Sequence, residues 1–286
     1  WDDYVARQPA ATAFHRVGWK RVIERATGHA GRYLMAMDAD RVVGIYPLFI
    51  VSTRLFGTLG VSLPFVGYGG VVADGSDAEA ALMAAAAEIA RAAGCDCVEL
   101  RQRHPLKGNW PTTDRKVATW ISTAGGAEGV FARLHPNVRN KIRKAEKNEV
   151  VVQQGREHLA DFYAIYSRNL RDLGTPVVTP RLFAEAVEAF PEQALVYRAV
   201  RRGKTIAAKV VVRDRDTCYF TWSASLREEL SHAPVHAMNW KAIEDACQAG
   251  CTSIDLGRST ADSSHQEFKK YWGGETQPLP WAYQLL

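Results

Sequence analysis

The sequence predicts an α+β fold in which one layered unit of helices and strands is built twice. Two observations predict the duplication. Residues 90–103, ARAAGCDCVELRQR, match residues 246–259, ACQAGCTSIDLGRS, at five positions, and similar strand-turn-strand segments precede both copies in the same order. A third observation is the composition, because 47% hydrophobic and 23% charged residues are typical of a folded chain of this length, 286 residues.

The first copy begins with a predicted hairpin. Residues 33–51 alternate between apolar and polar positions, turn at 38–40, and resume as an apolar run. An alanine-rich amphipathic helix then ends at Gly94, which suits a left-handed C-cap, and a short apolar strand follows. This order predicts a sheet with helices packed on it.

The second copy has the same order. Residues 194–213 predict a hairpin that turns at Gly203, and residues 218–225 predict a strand that is partly core. A helix begins at Pro234 and ends at Gly250, before the matching strand. Each half is therefore predicted to run helix, hairpin, further strand, helix, strand.

The boundary between the copies is predicted in a glycine-rich segment. Residues 122–129, STAGGAEG, break the periodicity, so we place the two domains at 1–130 and 131–286. No long linker or low-complexity segment separates the halves. We therefore expect them to pack together and to share a cleft that holds the functional site.

Composition excludes several classes of protein. No run of 18 apolar residues occurs, so no transmembrane segment is predicted. Five cysteines without a C-x-x-C pair argue against a disulfide framework and a zinc ribbon. His232 and His236 flank a proline rather than an H-E-x-x-H helix, so we expect no metal, and no cofactor is predicted. The cysteine usage and the absence of a signal-peptide pattern at Trp1 predict a cytoplasmic protein.

The densest positive charge lies in residues 133–147, which carry six basic residues and one acid. On a helix, this segment would present an apolar face and a separate basic stripe. The apolar positions are Val138, Ile142 and Ala145, and the stripe comprises Arg139, Arg143 and Lys147. Such a stripe fits either a solvated helix face or a surface that binds phosphate or carboxylate groups.

Four segments resemble the FemABX-type aminoacyl transferases. They are R-x-x-I-R-K-A-x-K at 139–147, P-x-x-x-M-x-W-x-x-I at 234–243 with the following G-C and I-D-L-G, F-K-x-x-W-G-G-E at 268–275, and L-P-F-V-G-Y-G-G-V-V at 63–72. Together they extend over most of the chain. These motifs are most similar to those of the FemAB-like proteins associated with bacterial exopolysaccharide and exosortase systems. The resemblance implies two tandem GNAT-like domains, which have the fold of acyl-CoA N-acyltransferases.

The resemblance also implies site residues. It places the lysine of the F-K-x-x-W-G motif near the reacting carbonyl, so Lys269 is the candidate catalytic residue, acting on the oxyanion and the leaving group. The residues alone also fit a surface lysine whose stem covers neighbouring aromatic rings. In the basic run, the residues proposed to bind substrate are Arg139, Arg143 and Lys144.

Four further residues are candidates for substrate binding. Arg258 and His265 fall in a predicted loop of small polar residues that follows the last repeated strand. His265 fits either a proton shuttle or a surface histidine. Near Trp222 the family tends to have a tyrosine that lines the acceptor pocket, and beside Arg181 it often has a tyrosine where this chain has Phe183. Both departures leave the acceptor open.

Three functions fit the sequence. The resemblance implies transfer of an aminoacyl group from aminoacyl-tRNA to an amine of a cell-envelope or peptidoglycan-type precursor. The first alternative is an acyl-CoA-dependent N-acyltransferase, although residues 230–236 lack the glycines of the Q/R-x-x-G-x-G/A loop that holds the CoA pyrophosphate. The second alternative is a non-catalytic module that binds RNA or another polyanion through the basic helix at 139–147. The net charge of +5 permits an acidic partner without requiring one.

Overall fold

The computed structural model describes residues 1–53, 57–108 and 110–286, with the backbone alone of Asp114. The chain divides into two compact units. Unit 1 comprises Trp1–Val117 and Pro278–Leu286, and unit 2 comprises Ala118–Gln277. The domain boundary predicted at residue 130 remains a prediction.

The described residues form both strands and helices. In chain order the strands are β1 (Ala30–Asp38), β2 (Arg41–Thr53), β3 (Gly57–Val61), β4 (Val72–Ala73), β5 (Cys97–Leu100), β6 (Thr112–Ser122), β7 (Val151–Gln154), β8 (Ala194–Arg201), β9 (Lys204–Asp214), β10 (Thr217–Ser225), β11 (Ser253–Thr260) and β12 (Glu275–Leu285). The helices are α1 (Asp2–Arg7), α2 (Gly18–Thr27), α3 (Ser76–Ala92), α4 (Gly126–Arg133), α5 (Pro136–Lys147), α6 (Leu159–Asp172), α7 (Pro180–Ala189), α8 (Pro234–Gln248) and α9 (Ser264–Lys270). None of the helices that the structure describes is long and apolar enough to span a bilayer.

In unit 1, the strand order is β1-β2-β3-β5-β12, and β4 pairs with β2. The predicted first hairpin is confirmed as the antiparallel pair β1 and β2. The predicted helix is α3, and its C-terminus is also confirmed: Gly94 has a φ of 71°, and the Cys95 N–H donates to the Ala90 carbonyl at 2.9 Å, which is the Schellman pattern. The core lies between the alanine-rich face of α3 and β2, with Leu82, Met83 and Ala86 against Tyr46 and Leu48.

In unit 2, the strand order is β11-β10-β9-β8-β7, with β6 beside β11. The second hairpin, β8 and β9, is confirmed, as is the helix start at Pro234. One face of the sheet packs on α8, where Met238 and Ala242 belong to the same core as Phe220. The predicted apolar face of the basic helix is confirmed in α5, since Val138, Ile142 and Ala145 are buried. The α+β class and the repeated order of elements are therefore confirmed.

Candidate functional site

The parallel strands β10 and β11 of unit 2 pair briefly and then part. Within the described residues, the paired segments are 217–219 in β10 and 253–255 in β11. Both strands continue beyond this ladder, β10 to Ser225 and β11 to Thr260. A bulge at Thr221 also shifts the register of β10 against β9. The two strand ends therefore border an opening in the sheet, where backbone groups need other partners.

Lys269 of α9 lies at this opening. Its Nζ donates hydrogen bonds to the carbonyl oxygens of Gly257 at 2.7 Å and Arg258 at 2.8 Å. Both carbonyls belong to the part of β11 beyond the ladder, so the lysine serves as the donor that a neighbouring strand would otherwise supply. An ammonium has three N–H donors, and these two bonds leave one for a ligand.

The surroundings of Lys269 lower its pKa. Burial lowers its pKa to about 8, the carboxylate of Asp255 opposes this shift, and the guanidinium of Arg258 adds to it. Asp255 is 1% exposed and accepts the N–H of Gly257 at 2.7 Å. Lys269 is therefore a proton donor that can change charge close to neutral pH, as acid-base catalysis requires.

Gly257 allows this arrangement. Its φ is 79°, and a Cβ at this position would lie 3.0 Å from the carbonyl oxygen of Phe220 and 3.8 Å from Lys269 Nζ. A side chain here would therefore be strained and would press on the opposite strand. The glycine lets β11 present two adjacent carbonyls to one ammonium.

A second lysine, Lys209 of β9, lies on the α8 side of unit 2. It is 2% exposed, its Nζ donates to Asn239 Oδ1 of α8, and the Nζ lies 3.6 Å from the centroid of the Phe220 ring. Burial lowers the pKa of Lys209 well below its ordinary value, Cys218 opposes this, and Lys269 adds to it. A buried lysine whose pKa is lowered in this way is typical of functional sites.

An aromatic cluster lies against α6 and α7. Trp222 is 7% exposed and meets Phe183 edge-on, with ring centroids 5.2 Å apart. Phe183 meets Tyr166 in the same way at 5.1 Å. Burial raises the pKa of Tyr166, and the nearby guanidinium of Arg258 opposes that rise. The structure therefore brings two of the predicted residues, Trp222 and Arg258, to one cluster.

The predicted loop from Arg258 to His265 is wrong. Arg258 lies within β11, and His265 lies in the first turn of α9. The helix begins early because Ser263 caps it, its Oγ accepting the backbone N–H three residues later at 3.3 Å. His265 is exposed and stands four residues before Lys269, on the same face of the helix.

The predicted basic residues of α5 lie apart from Lys269. Arg139 donates to a carbonyl of α4 at 3.2 Å, the guanidinium of Arg143 lies 5.9 Å from the centroid of the Phe131 ring, and Lys144 is exposed. Among the described residues, no hydrogen bond or ion pair joins any of these three to Lys269. They form an exposed basic surface rather than a wall of the opening.

Two contacts nevertheless fix α5 beside α9. The ring of His135, the N-cap of α5, stacks on Tyr271 at 4.7 Å, and its backbone N–H donates to the Tyr271 carbonyl at 3.0 Å. Burial, together with the nearby charge of Lys141, lowers the pKa of His236 to about 4. His236 in turn stacks on Trp272 at 5.9 Å, and Trp272 follows α9. The basic surface and the helix of Lys269 are thus held together.

Arg181 lies outside these groups. It occupies the first turn of α7, where its Nε is 3.4 Å from Glu185 Oε1. The guanidinium is well exposed, so this pair adds little to stability. The structure joins Arg181 to none of the other predicted site residues within the part of the chain that it describes.

Sequence reasoning missed Lys209, Asn239 and Asp255. The first had a signal, because Lys209 is the only charged residue in the apolar run IAAKVVV of 206–212, and a buried strand tolerates a lysine poorly without a function. Asp255 stands in the I-D-L-G segment, but that wording does not indicate its effect on Lys269 of the following helix. Asn239 had no signal, since it meets Lys209 only where α8 packs on β9. Among the described residues, no group of three or more His, Cys, Asp or Glu side chains has a metal-binding arrangement.

Comparison with known proteins concerns the fold that carries these residues. Residues 132–270 match the family model described as "Acetyltransferase (GNAT) domain". Among solved structures, the chain is similar to a tandem GNAT protein from the clavulanic acid biosynthesis pathway, with a TM-score of 0.58, 12% identity, and coverage of 98% of this chain and 90% of that one. This chain has a tandem GNAT fold. The fold predicted from the resemblance is confirmed.

Two other structures share the fold over most of this chain. FemX is similar with a TM-score of 0.76 and 15% identity, over 100% of this chain and 95% of its own. L-PGS from Bacillus licheniformis is similar with a TM-score of 0.61 and 9% identity, over 93% of this chain and 90% of its own. No curated protein sequence matches the chain significantly. At these identities the likeness concerns the fold.

Proposed function

We propose that this protein transfers an aminoacyl group from aminoacyl-tRNA to an amine of a cell-envelope or peptidoglycan-type precursor, with Lys269 as its catalytic residue. The observation that carries the proposal is the ammonium of Lys269, held by two carbonyls of β11 at the parting of two strands with one donor left over. The similarity to FemX along the whole chain supports the aminoacyl type of transfer. The association with exosortase systems remains a prediction from the resemblance.

The transfer reaction requires few protein groups besides the remaining N–H donor of Lys269. The acceptor amine attacks the ester carbon of the aminoacyl group, a C–N bond forms, and the carbonyl oxygen becomes an oxyanion that Lys269 stabilises. When the C–O bond breaks, the leaving ribose oxygen takes a proton, and a lysine with a pKa of about 8 can supply it. The attacking amine loses its proton to Lys269, directly or through solvent, which restores the starting state.

Two surfaces of unit 2 suit the two substrates. The exposed basic residues of α5 are a binding surface for the phosphates of tRNA, and contacts to such groups would be sensitive to salt. The aromatic cluster of Trp222 and Phe183, with Arg258 at its edge, suits the acceptor. This chain lacks the tyrosines that the family tends to have near Trp222 and at Phe183. The cluster therefore offers the acceptor fewer hydroxyl groups than the family pattern does.

An acyl-CoA donor is the alternative with a specific observation in its favour, the match to an acetyltransferase model. The segment before α8 argues against it. Residues 227–232 form a 3₁₀ turn, and the N-cap of α8 is Ala233, which has a φ of 57°. No glycine-rich loop precedes the helix to wrap a pyrophosphate.

The experiment is a single-turnover assay with purified protein, an aminoacyl-tRNA and an amine acceptor. Lys269→Ala is expected to lower the rate constant by about 10²-fold or more, the usual cost of losing one oxyanion donor. Lys270→Ala is the matched control, because this neighbouring lysine is exposed and is expected to keep wild-type turnover. Wild-type turnover in the Lys269→Ala variant would refute the proposal.

Variants of the basic surface of α5 test which molecule is the acyl donor. The double variant Arg143→Glu with Lys144→Glu is expected to lose affinity for aminoacyl-tRNA and part of its salt dependence. Arg171→Glu, an exposed arginine of α6, is the control. Turnover with acyl-CoA but not with aminoacyl-tRNA would establish the CoA alternative, and tRNA binding that is unaffected by Lys269 without any turnover would establish the non-catalytic one.

A further inference from the structure

Unit 1 contains a cavity of about 130 Å³, far from α9 in the sequence. Its wall comprises Ala10, the 3₁₀ turn at His15, residues 70–73, the first turn of α3, and residues 102–105 and 107 after β5. The side chains with polar or charged groups that line it are His15, Glu79, Gln102, Arg103, His104 and Lys107. Three of these, His15, Glu79 and Gln102, are more than nine-tenths buried. Such a density of buried polar groups at a cavity is typical of a ligand site.

Glu79 is the anionic group of the cavity. Its Oε1 accepts the backbone N–H of Lys107 at 2.7 Å and of Gly108 at 3.3 Å. A carboxylate has about four acceptor positions, so Glu79 retains capacity for a further donor. Because a carboxylate that is 8% exposed is costly to bury, a cationic group of a ligand would stabilise it.

Arg103 and Lys107 supply the opposite charge. Both line the cavity, and Lys107 Nζ donates to the Asp74 carbonyl at 3.2 Å, which holds the ammonium at the rim. Two positive charges disfavour a ligand that is only cationic, and Glu79 disfavours one that is only anionic. The lining therefore suits a ligand that carries both charges.

The remaining wall is rigid. His15 Nδ1 accepts the Thr12 N–H at 3.0 Å, so Nε2 carries the proton and donates to the Gly70 carbonyl at 3.1 Å. Gln102 lies across Gly70 so closely that a Cβ there would be 1.8 Å from Gln102 Oε1. The glycine thus makes room for the amide, and a wall of this kind is preformed before any ligand binds.

The position of the cavity matches that of the site in unit 2. In the repeat, Gln102 corresponds to Arg258, and α3 and β5 correspond to α8 and β11. In unit 1, too, a parallel pair of strands, β3 and β5, precedes the segment that lines the cavity. Each copy of the fold thus has polar groups just beyond its parallel strand pair.

We infer that this cavity binds a small zwitterion with one ammonium and one carboxylate, such as glycine or L-alanine. The ammonium binds Glu79, and the carboxylate lies towards Arg103 and Lys107. The size agrees, because benzene, with six heavy atoms, fills an engineered cavity of about 150 Å³. The inference does not depend on the proposed function, since none of these residues belongs to unit 2.

Saturation-transfer NMR with glycine and L-alanine tests the inference, with acetate and methylamine as analogues of one charge each. Glu79→Gln removes the charge but keeps an oxygen to accept the two backbone N–H bonds. Glu88→Gln, on the exposed side of the same helix, is the matched control. Lys107→Met is a second variant that retains its backbone bond to Glu79, and thermal unfolding shows that each variant is folded.

We expect both amino acids to bind the wild type, Glu88→Gln and Lys269→Ala. Glu79→Gln and Lys107→Met should each weaken binding roughly tenfold or more, as the loss of a charge-assisted bond predicts, and the two analogues should bind far more weakly. Absence of binding to the wild type, equal affinity in folded Glu79→Gln, or equal affinity for an analogue would overturn the inference. Loss of binding in Lys269→Ala would also overturn it, because the amino acid would then occupy the site of the proposed function.

Discussion

Lys269 should give the reaction an alkaline limit. The lysine is charged below its pKa of about 8 and neutral above it, so the single-turnover rate constant should fall as pH rises through about 8. Lys269→Arg should move this fall to higher pH, because a guanidinium stays protonated there. A pH profile of the two proteins measures the shift, and a rate constant that stays level from pH 7 to pH 10 would contradict the assignment.

Lys209 should reduce the stability of the fold. The fold lowers the pKa of this lysine well below its ordinary value, whereas the unfolded chain keeps the ordinary pKa, so this lysine costs folding free energy at any pH below its ordinary pKa. Lys209→Met should therefore raise the free energy of unfolding at pH 7, with a gain that shrinks as pH rises towards about 10.4. Urea unfolding at pH 7 and pH 10 measures this gain.

Lys204→Met, an exposed lysine of the same strand, is the control and should change stability little. A loss of stability in Lys209→Met at pH 7 would show that the bond to Asn239 outweighs the cost of burial. A more stable variant with lower turnover would identify Lys209 as a group kept for function.

At the scale of single residues, the F-K-x-x-W-G motif singles out Lys269 as a candidate but could not predict the groups that Lys269 contacts. The two carbonyls that hold it follow from the parting of β10 and β11, and Lys209 meets Asn239 only because β9 and α8 pack together. Trp222 illustrates the same limit. Its strand has apolar or aromatic residues at both odd and even positions up to Ser223, which indicates burial, but the bulge at Thr221 decides which side Trp222 faces.

At the scale of the elements, the backbone geometry of β11 depends on Gly257. Gly257→Ala should lower the free energy of unfolding by about 1–2 kcal/mol, because an alanine at a φ of 79° is strained. It should also lower turnover, since the new Cβ pushes against Phe220 and moves the carbonyls that hold Lys269. Denaturant unfolding and the single-turnover assay measure the two effects.

Gly250→Ala is the matched control for this element. Gly250 has the same φ of 79°, but a Cβ there meets nothing within 4 Å. The control should lose similar stability and keep its turnover. Equal turnover in both variants would show that the geometry of β11 at Gly257 does not matter for the reaction.

Hairpins and helix ends were predictable where local chemistry decides them. Gly94, Gly203 and Gly250 mark turns or C-caps in the sequence and occupy left-handed conformations in the structure. The start of α9 was not predictable from periodicity, because one cap at Ser263 overrides a segment that otherwise reads as a polar loop. The pairing of β12 with β5 has no local signal either, since it joins residues 282–285 to residues 97–100, which are distant in sequence.

For the whole molecule, the C-terminal segment should be essential to unit 1. Ala282 lies opposite Leu100 in the pairing of β12 with β5, and both are fully buried. Deletion of Pro278–Leu286 should therefore expose β5 and abolish the slow hydrogen exchange of its amides. Amides of α8 in unit 2 are the internal reference. Unchanged protection of β5 in the shortened chain would contradict this expectation.

The divided path of unit 1 has a consequence for biosynthesis. A ribosome synthesises the chain from the N-terminal side at about 5–20 residues per second. All of Ala118–Gln277 is therefore translated before the last strand of unit 1 is made. Until then β5 is an open edge that can pair with the wrong strand. The unit translated second can thus complete its folding first, and the outer edge of β5 has to remain unpaired until translation reaches Pro278.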